Sequence, residues 1–402
     1  MNHDVLKKME SECYTDYIAR ICSLKDDFDL TWEDVAQILN DELGCSYSES
    51  WYRKNFKDNS FPETLKTKRC GECDNSDKSD YEKLLEIKKE RVKMADERNQ
   101  NMLAVRRLAR EETLLEIAKE VAETLKSKPV LPNYEYITNT GTKAAILQIS
   151  DWHYGIEISN PWNSYDPEIA RDRIIKLRSR VIEKIKENSV KDLYITNLGD
   201  LISGRIHETI RIQNRIDVIS QALEVAEILV EFIAYLSQYA DIYYISTTDN
   251  HSRLEPKKES SIDLESLTRV IEPLVEARIQ NLKYENKCKN ITFIKSPFGP
   301  DIAKFEIMGY KIGAVHGHKD NPRAVVSNIS LMTQDNYDLI LSAHLHHFSC
   351  NEDFNTVTVS NGSLMGTDDY AADLRLNNKP SQNLIIVSEE SVVESIHKIT
   401  LA

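Results

Sequence analysis

The chain has 402 residues, a formal net charge of −14, and 41% hydrophobic and 29% charged residues. Such a length supports two or three domains with a sizeable core, and such a composition excludes a disordered or fibrous chain. The acidic balance argues against a protein that coats nucleic acid without specificity, although bound cations and local arginines can still draw in a phosphate backbone.

No apolar run reaches transmembrane length, and Met1-Asn-His-Asp lacks a signal-peptide pattern. A cytoplasmic protein with no membrane partner is therefore expected. The 7 cysteines are odd in number and irregularly spaced, as befits reduced thiols. Cys70-Gly-Glu-Cys73 is a lone CxxC, either half a zinc site or a pair of loop cysteines.

Residues 1–60 read as a separate all-α unit. Thr31-Trp-Glu-Asp34 forms a capping box that opens a helix with Val35, Ile38 and Leu39 on one apolar face. Gly44 turns the chain, and 46–56 predicts a second helix, which together resemble a helix-turn-helix. The second helix carries Arg53, Lys54 and Lys57 beside Trp51 and Tyr52, residues suited to DNA binding. Acids outnumber bases in this unit, so a plain αα-hairpin that packs on a protein partner is the alternative.

Residues 61–78 read as a linker, with Pro62, Gly71, Asn75 and Ser76. Residues 79–128 predict a long charged helix that alternates Glu/Asp with Lys/Arg. Leu103, Leu108, Leu115, Ala122 and Leu125 give it a seam, for a homodimeric coiled coil or for packing on the same chain. Pro129 and Pro132 end it.

From 140 to 402 the pattern is α/β. Buried strands are predicted at 144–149, 193–196 and 242–246, separated by amphipathic helices near 167–187, 211–238 and 262–281. The second half turns β-rich, with strands at 291–296, 302–307, 310–315, 338–342, 355–360, 383–388 and 392–399. The expected architecture is a mixed pair of sheets flanked by helices.

Polar clusters follow the apolar runs: Asp151-Trp-His153, Gly199-Asp200, Asp249-Asn250-His251, His316-Gly-His318 and His344-Leu-His346. Histidine, carboxylate and carboxamide are ligands for borderline divalent metals, and clusters at successive strand ends converge at one edge of an α/β sheet. Taken singly, Asp-x-His arises by chance, Gly-Asp is a turn and Asn-His is a loop cap. In series, at roughly 50-residue spacing as βα units demand, they read as a two-metal hydrolase.

The ordered set resembles the calcineurin-like metallophosphoesterase superfamily, with its DxH, GD, GNH[D/E], HGH and GHxH motifs, over residues 143–400. Within it the look is nearest to Mre11/SbcD-like nucleases and phage-encoded phosphoesterases. The resemblance implies an αββα sandwich and two divalent ions, Mn first, with Fe or Zn as alternatives. Asp151, His153 and His346 would hold one ion and Asn250, His316 and His344 the other. Asp200 would bridge them, and His251 would stand unligated beside the scissile phosphate. Such ions clamp the phosphate and activate a bridging water.

Arg253 could bind a non-bridging oxygen in a fork, His318 could support a ligand, and His207 and Arg211 could reach substrate. Trp152 and Tyr154 could stack on a base or be buried. This chain departs from the family pattern at Asp249 and Ala343, each in place of glycine, and at Ser252, in place of the acid that orients the histidine.

The leading expectation is a phage-type, metal-dependent phosphodiesterase acting on DNA. The alternatives are a small-molecule phosphatase or cyclic- or dinucleotide phosphodiesterase, and a DNA-binding regulator with an inactive hydrolase domain. Enzymes of the Mre11 type work with an ATPase, so an ATPase or a replication or repair protein is the partner that the resemblance implies.

Overall fold

The computed structural model describes residues 6–58 (except 10, 11, 26, 27 and 29), 88–98 (except 95), 101, 119, 135–137 and 140–402 (except 256, 259, 260 and 263). The linker, with Cys70 and Cys73, and most of the long charged helix lie outside these residues; 88–94 and 96–98 are helical. The chain divides into two compact units, Met1–Arg110 and Glu111–Ala402.

In the first unit, helices α1 (Tyr14–Ser23), α2 (Trp32–Leu43) and α3 (Glu49–Asp58) enclose a small core of Tyr17, Ile18, Ile21, Val35, Leu39 and Tyr52. The Thr31 capping box forms, with Asp34 N–H donating to Thr31 Oγ1 at 3.1 Å and Thr31 N–H to Asp34 Oδ2 at 2.8 Å. Gly44 ends α2 at φ 63°, the left-handed conformation that glycine adopts most readily. Asn40 then stitches the turn, donating to Tyr47 O and accepting from Tyr47 N–H and Tyr52 O–H. The sequence pattern gave no sign of α1. It also set Tyr52 among the DNA-reading residues, whereas Tyr52 is fully buried.

The second unit is a four-layer sandwich. One sheet has the order β13-β12-β1-β4-β5-β6 and the other β10-β11-β9-β8-β7. The first comprises β1 (Lys143–Ile149), β4 (Val190–Asn197), β5 (Asp241–Ser246), β6 (Ile291–Phe293), β12 (Ser381–Val387) and β13 (Ser395–Thr400). The second comprises β7 (Ile302–Ile307), β8 (Tyr310–Val315), β9 (Leu339–Ser342), β10 (Ser349–Asp353) and β11 (Thr356–Ser360). Strands β1, β4, β5 and β6 run parallel, as do β8, β9 and β11.

Alternation along the strands builds the layers. Ala144 and Ile146 of β1 face the inter-sheet core with Phe305, Leu339 and Leu341. Ala145, Leu147 and Ile149 face the opposite core, beneath α4 (Pro167–Glu187), α6 (Val218–Leu236) and α7 (Thr268–Tyr284). On the far side, α8 (Val325–Thr333) covers Ile302, Val315 and Ile340. The expected αββα class is thus observed. No helix among the described residues is long and apolar enough to cross a membrane.

Several boundaries differ from expectation for local reasons. The helix expected at 211–238 is two, α5 (Glu208–Gln213) and α6, because Asp217 caps a new start by accepting from Ile219 N–H and Ser220 N–H at 3.0 Å each. Helix α7 begins at Thr268, since the preceding loop is pinned in extended form by a bridge between Arg253 and Ser266. The hairpin of β2 (Ile158–Asn160) and β3 (Asn163–Tyr165), strand β10, α8 and the short α9 (Asp369–Asp373) were not foreseen.

Candidate metal centre

Each polar cluster sits just past the carboxyl end of a strand: Asp151 and His153 after β1, Asp200 after β4, Asn250 and His251 after β5, His316 after β8, and His344 and His346 after β9. These ends meet at one edge of the sandwich. One ligand atom each from Asp151, His153, Asp200 and His346 lie within 4.8 Å of one another, and the same holds for Asp200, His316 and His344. The two groups overlap at Asp200. Asn250 Oδ1 joins the second, 3.0 Å from His316 Nε2.

Strained backbone aims these side chains. Asp151, His153, Asp200, His344 and His346 have φ of 51°, 45°, 53°, 69° and 57°. Left-handed conformation at non-glycine residues costs on the order of 1–3 kcal/mol each and persists only where the surroundings impose it. The imposing contacts are Asp151 N–H to Gly199 O and His153 N–H to Asp200 O, both 3.0 Å, and His251 N–H to Asp200 Oδ1, 3.1 Å. Two glycines allow the close approach. A Cβ on Gly199 would lie 2.5 Å from Asp249 Cβ, and one on Gly204 would lie 2.0 Å from His251 O.

The donor chemistry fits divalent cations. Asp151 Oδ1 and Asp200 Oδ2 are buried and receive no hydrogen bond. Histidine Nε2 atoms face them instead: His346 is 3.3 Å from Asp151 Oδ1, and His316 is 3.1 Å from Asp200 Oδ2. His153 Nε2 and His346 Nε2 stand 3.1 Å apart. Buried acceptors and lone pairs aimed at one another are costly unless a cation lies between them. His316 Nδ1 lies 2.7 Å from the backbone oxygen of Leu198 and donates to it, so Nε2 is the nitrogen turned toward Asp200 and Asn250.

Electrostatics reflect this crowding. Burial pushes His153 well below the usual histidine range, helped by the charge of His251. Burial likewise takes His344 down to about 4 and His318 to about 3. For His316 burial is outweighed by Asp200, which lifts it to about 10. Asp200 itself, despite burial, is held well below the carboxylate range by His316 and His251.

His251 stands apart from the ligand set. Its Nδ1 lies 2.7 Å from Ser203 O and its Nε2 3.9 Å from Asp200 Oδ2. The carbonyl of Ser203 thus orients the ring, in the role expected of the missing acid. Asp249 needs no glycine-like conformation. Its carboxylate accepts from Ser252 N–H at 2.7 Å, Ser252 Oγ at 3.0 Å and Thr268 Oγ1 at 3.2 Å, closing the loop that carries Asn250 and His251. Burial, and then the charge of Asp200, raise Asp249 to about 6. Ala343 also lacks a positive φ, and its N–H donates to His316 O at 2.9 Å.

Among the remaining candidates, Arg253 and His318 line a cavity beside Asn250. His207, at the start of α5, is exposed, as is Arg211. Trp152 and Tyr154 are 0% and 1% exposed, so neither can stack on a base. Trp152 packs edge-on against Phe232, and Tyr154 O–H donates to Glu224 at 2.5 Å. Arg53, Lys54 and Lys57 are exposed on α3 in the first unit.

Sequence reasoning passed over a buried amide network beneath Asp151. Gln148, Asn361, Gln382 and Asn383 are all 0% exposed. Gln382 accepts from Ser150 N–H at 2.9 Å and donates to Gly362 O at 2.6 Å, while Asn361 donates to Ser150 Oγ at 2.9 Å. Ser150 Oγ in turn donates to Asp151 Oδ2 at 2.7 Å. The signal was present as polar residues at core positions of β1 and β12.

Comparison with known proteins adds relatives. Residues 2–69 match the family described as the YonJ N-terminal domain. The SPbeta prophage-derived uncharacterized protein YonJ of Bacillus subtilis (strain 168) is 28% identical over 394 residues, covering 94% of each chain. Among solved structures, a novel archaeal phosphodiesterase is similar at 14% identity and a TM-score of 0.32, covering 64% of this chain and 99% of its own. The zinc complex of wild-type Vps29 from Entamoeba histolytica is similar at 12% identity and a TM-score of 0.31, with the same coverage. Likeness at that level decides nothing about substrate.

Proposed function

We propose that the chain is a metal-dependent phosphodiesterase with a two-ion centre. The observation that carries this reading is the pair of ligand clusters that overlap at Asp200. Asp151, His153 and His346 would hold one ion, Asn250, His316 and His344 the other, and Asp200 both. Bound there, divalent ions neutralise phosphate oxygens and lower the pKa of water.

The chain's own residues supply the rest. Asn250 contributes a neutral oxygen, so the loaded centre keeps positive charge for an anionic substrate. His251, oriented through Nδ1, holds a proton at Nε2 for the leaving alkoxide. Arg253, two residues on, offers a guanidinium fork to a non-bridging oxygen. The buried amide network keeps Asp151 in place so that the site does not reorganise on loading.

The substrate we favour is DNA, in the manner of an Mre11-like nuclease of phage type, with Mn as the ion. The basic face of α3 and the prophage origin of the Bacillus subtilis relative support that choice. The test is hydrolysis of single- and double-stranded DNA beside bis(p-nitrophenyl) phosphate, with Mn and with a chelator. DNA cleavage that stops on chelation is the expected result. Cleavage of the small diester alone would move the substrate to a nucleotide, and hydrolysis of neither would leave the domain a scaffold.

A further inference from the structure

A cavity of about 120 Å³ adjoins Asn250, between the loop that follows β5 and the loop that follows β8. Asp151, His153 and His346 do not line it. Three cations do: Arg253, Lys258 and Lys319. Thr248, Ser261 and Ser266 add hydroxyls, and His318 closes the wall.

The lining is built rather than incidental. Arg253 sits on backbone pinned by Leu254 N–H to Glu265 O at 3.1 Å and Leu267 N–H to Ser252 O at 2.7 Å. Lys319 Nζ, at the same cavity, lies 3.4 Å from Asp301 Oδ2. Asp249 also reaches the cavity wall, but its oxygens are engaged by Ser252 and Thr268. Three cations thus stand against the one carboxylate of Asp249, and the lining carries net positive charge.

Size narrows the ligand. The volume of about 120 Å³ falls far short of the roughly 300–1,000 Å³ of pockets that hold drug-sized molecules. A nucleoside does not fit, whereas a phosphate group does. We propose that this cavity is a subsite for a second phosphate of the substrate, the one adjoining the phosphate that is cleaved. The proposal rests on the phosphodiesterase reading and sharpens it, because a simple diester lacks that second group.

Two sources share this chemistry: the next internal diester of a polynucleotide, and a terminal phosphate on a short oligonucleotide. The test compares kcat/KM of the full chain, loaded with Mn, on thymidine dinucleotide with one internal phosphate, on the same dinucleotide carrying a 5′- or 3′-terminal phosphate, and on the trinucleotide. Charge-assisted hydrogen bonds predict about a tenfold or greater advantage for a two-phosphate substrate. The Lys258→Ala/Lys319→Ala double variant should bring that ratio close to one. An advantage confined to the terminally phosphorylated dinucleotide assigns the subsite to a chain end, and one confined to the trinucleotide assigns it to an internal phosphate. Equal kcat/KM for one- and two-phosphate substrates, or a ratio indifferent to the double variant, overturns the proposal. Should no dinucleotide be hydrolysed at all, the phosphodiesterase reading fails separately, and calorimetric binding of the same ligands still decides the subsite. Tighter binding of the two-phosphate ligand, lost in the double variant, supports it; equal binding overturns it.

Discussion

The two halves of the candidate centre are built differently. Beneath Asp151 and His153 the protein is closed: both are buried, and four buried carboxamides lie under Asp151, while His346 keeps 23% of its side chain exposed. In the other half Asn250 stands on a loop pinned by Asp249, and a cationic cavity opens next to it. The difference teaches that one half serves to hold and the other to receive. Rigidity of the first half is set by satisfied hydrogen bonds, and access at the second by loops between strands.

The largest effect should come where the halves meet. Asp200→Ala removes the shared carboxylate and should lower hydrolysis of bis(p-nitrophenyl) phosphate by about 10³-fold or more. A loss confined to tenfold would mean that the halves work independently. His251→Ala should cost about 10²–10³-fold in kcat, with metal content preserved, because its ring acts on the leaving group. Loss of metal in that variant would make it a ligand and redraw the boundary between the halves.

On the closed half, Gln382→Leu strands the buried Ser150 N–H and Gly362 carbonyl. It should cost about 2–3 kcal/mol of stability in a urea titration and weaken metal binding about 10–100-fold. Retained affinity would show that Asp151 needs no such buttress.

An effect that depends on pH is expected at Glu272 of α7. This half-buried carboxyl accepts from Tyr244 O–H at 2.8 Å and Asn197 Nδ2 at 2.9 Å, and Asn197 Oδ1 accepts from Gly199 N–H. Burial raises it from 4.5 to about 7, against those hydrogen bonds and with help from the charge of Asp249. Its folded-state value lies above the unfolded one, so the stability it lends is complete below 4.5 and is lost as pH rises through about 7. The loss is on the order of 3 kcal/mol. Glu272→Gln should therefore gain thermal stability over the wild type at pH 8.5, by roughly 5 °C, and little at pH 5. A difference independent of pH would contradict the shift.

The sequence disclosed the strand ends well because apolar runs give way abruptly to Asp, Asn and His there. It disclosed the layers because β1 alternates between two cores, visible as consecutive apolar residues from Ala144 to Leu147. It concealed the break before α6, since Asp217 lies within a continuous helical periodicity and caps only once the chain turns. It also concealed the buried amides, because Gln148 or Asn383 in a strand cannot be told from a solvent-facing residue until its partner, more than two hundred residues away, is in place. The departures from the family pattern looked like deficits in sequence. In the fold, Asp249 fixes the loop through its own carboxylate, and Ser203 O takes over the orienting contact to His251.

The most direct test of the account is the metal count per chain by mass spectrometry, after loading with Mn and removal of free ion, for the wild type, His346→Ala and His344→Ala. Two ions in the wild type and one in each variant is the predicted result. One ion or none in the wild type, with diester hydrolysis intact, would contradict a centre shared at Asp200.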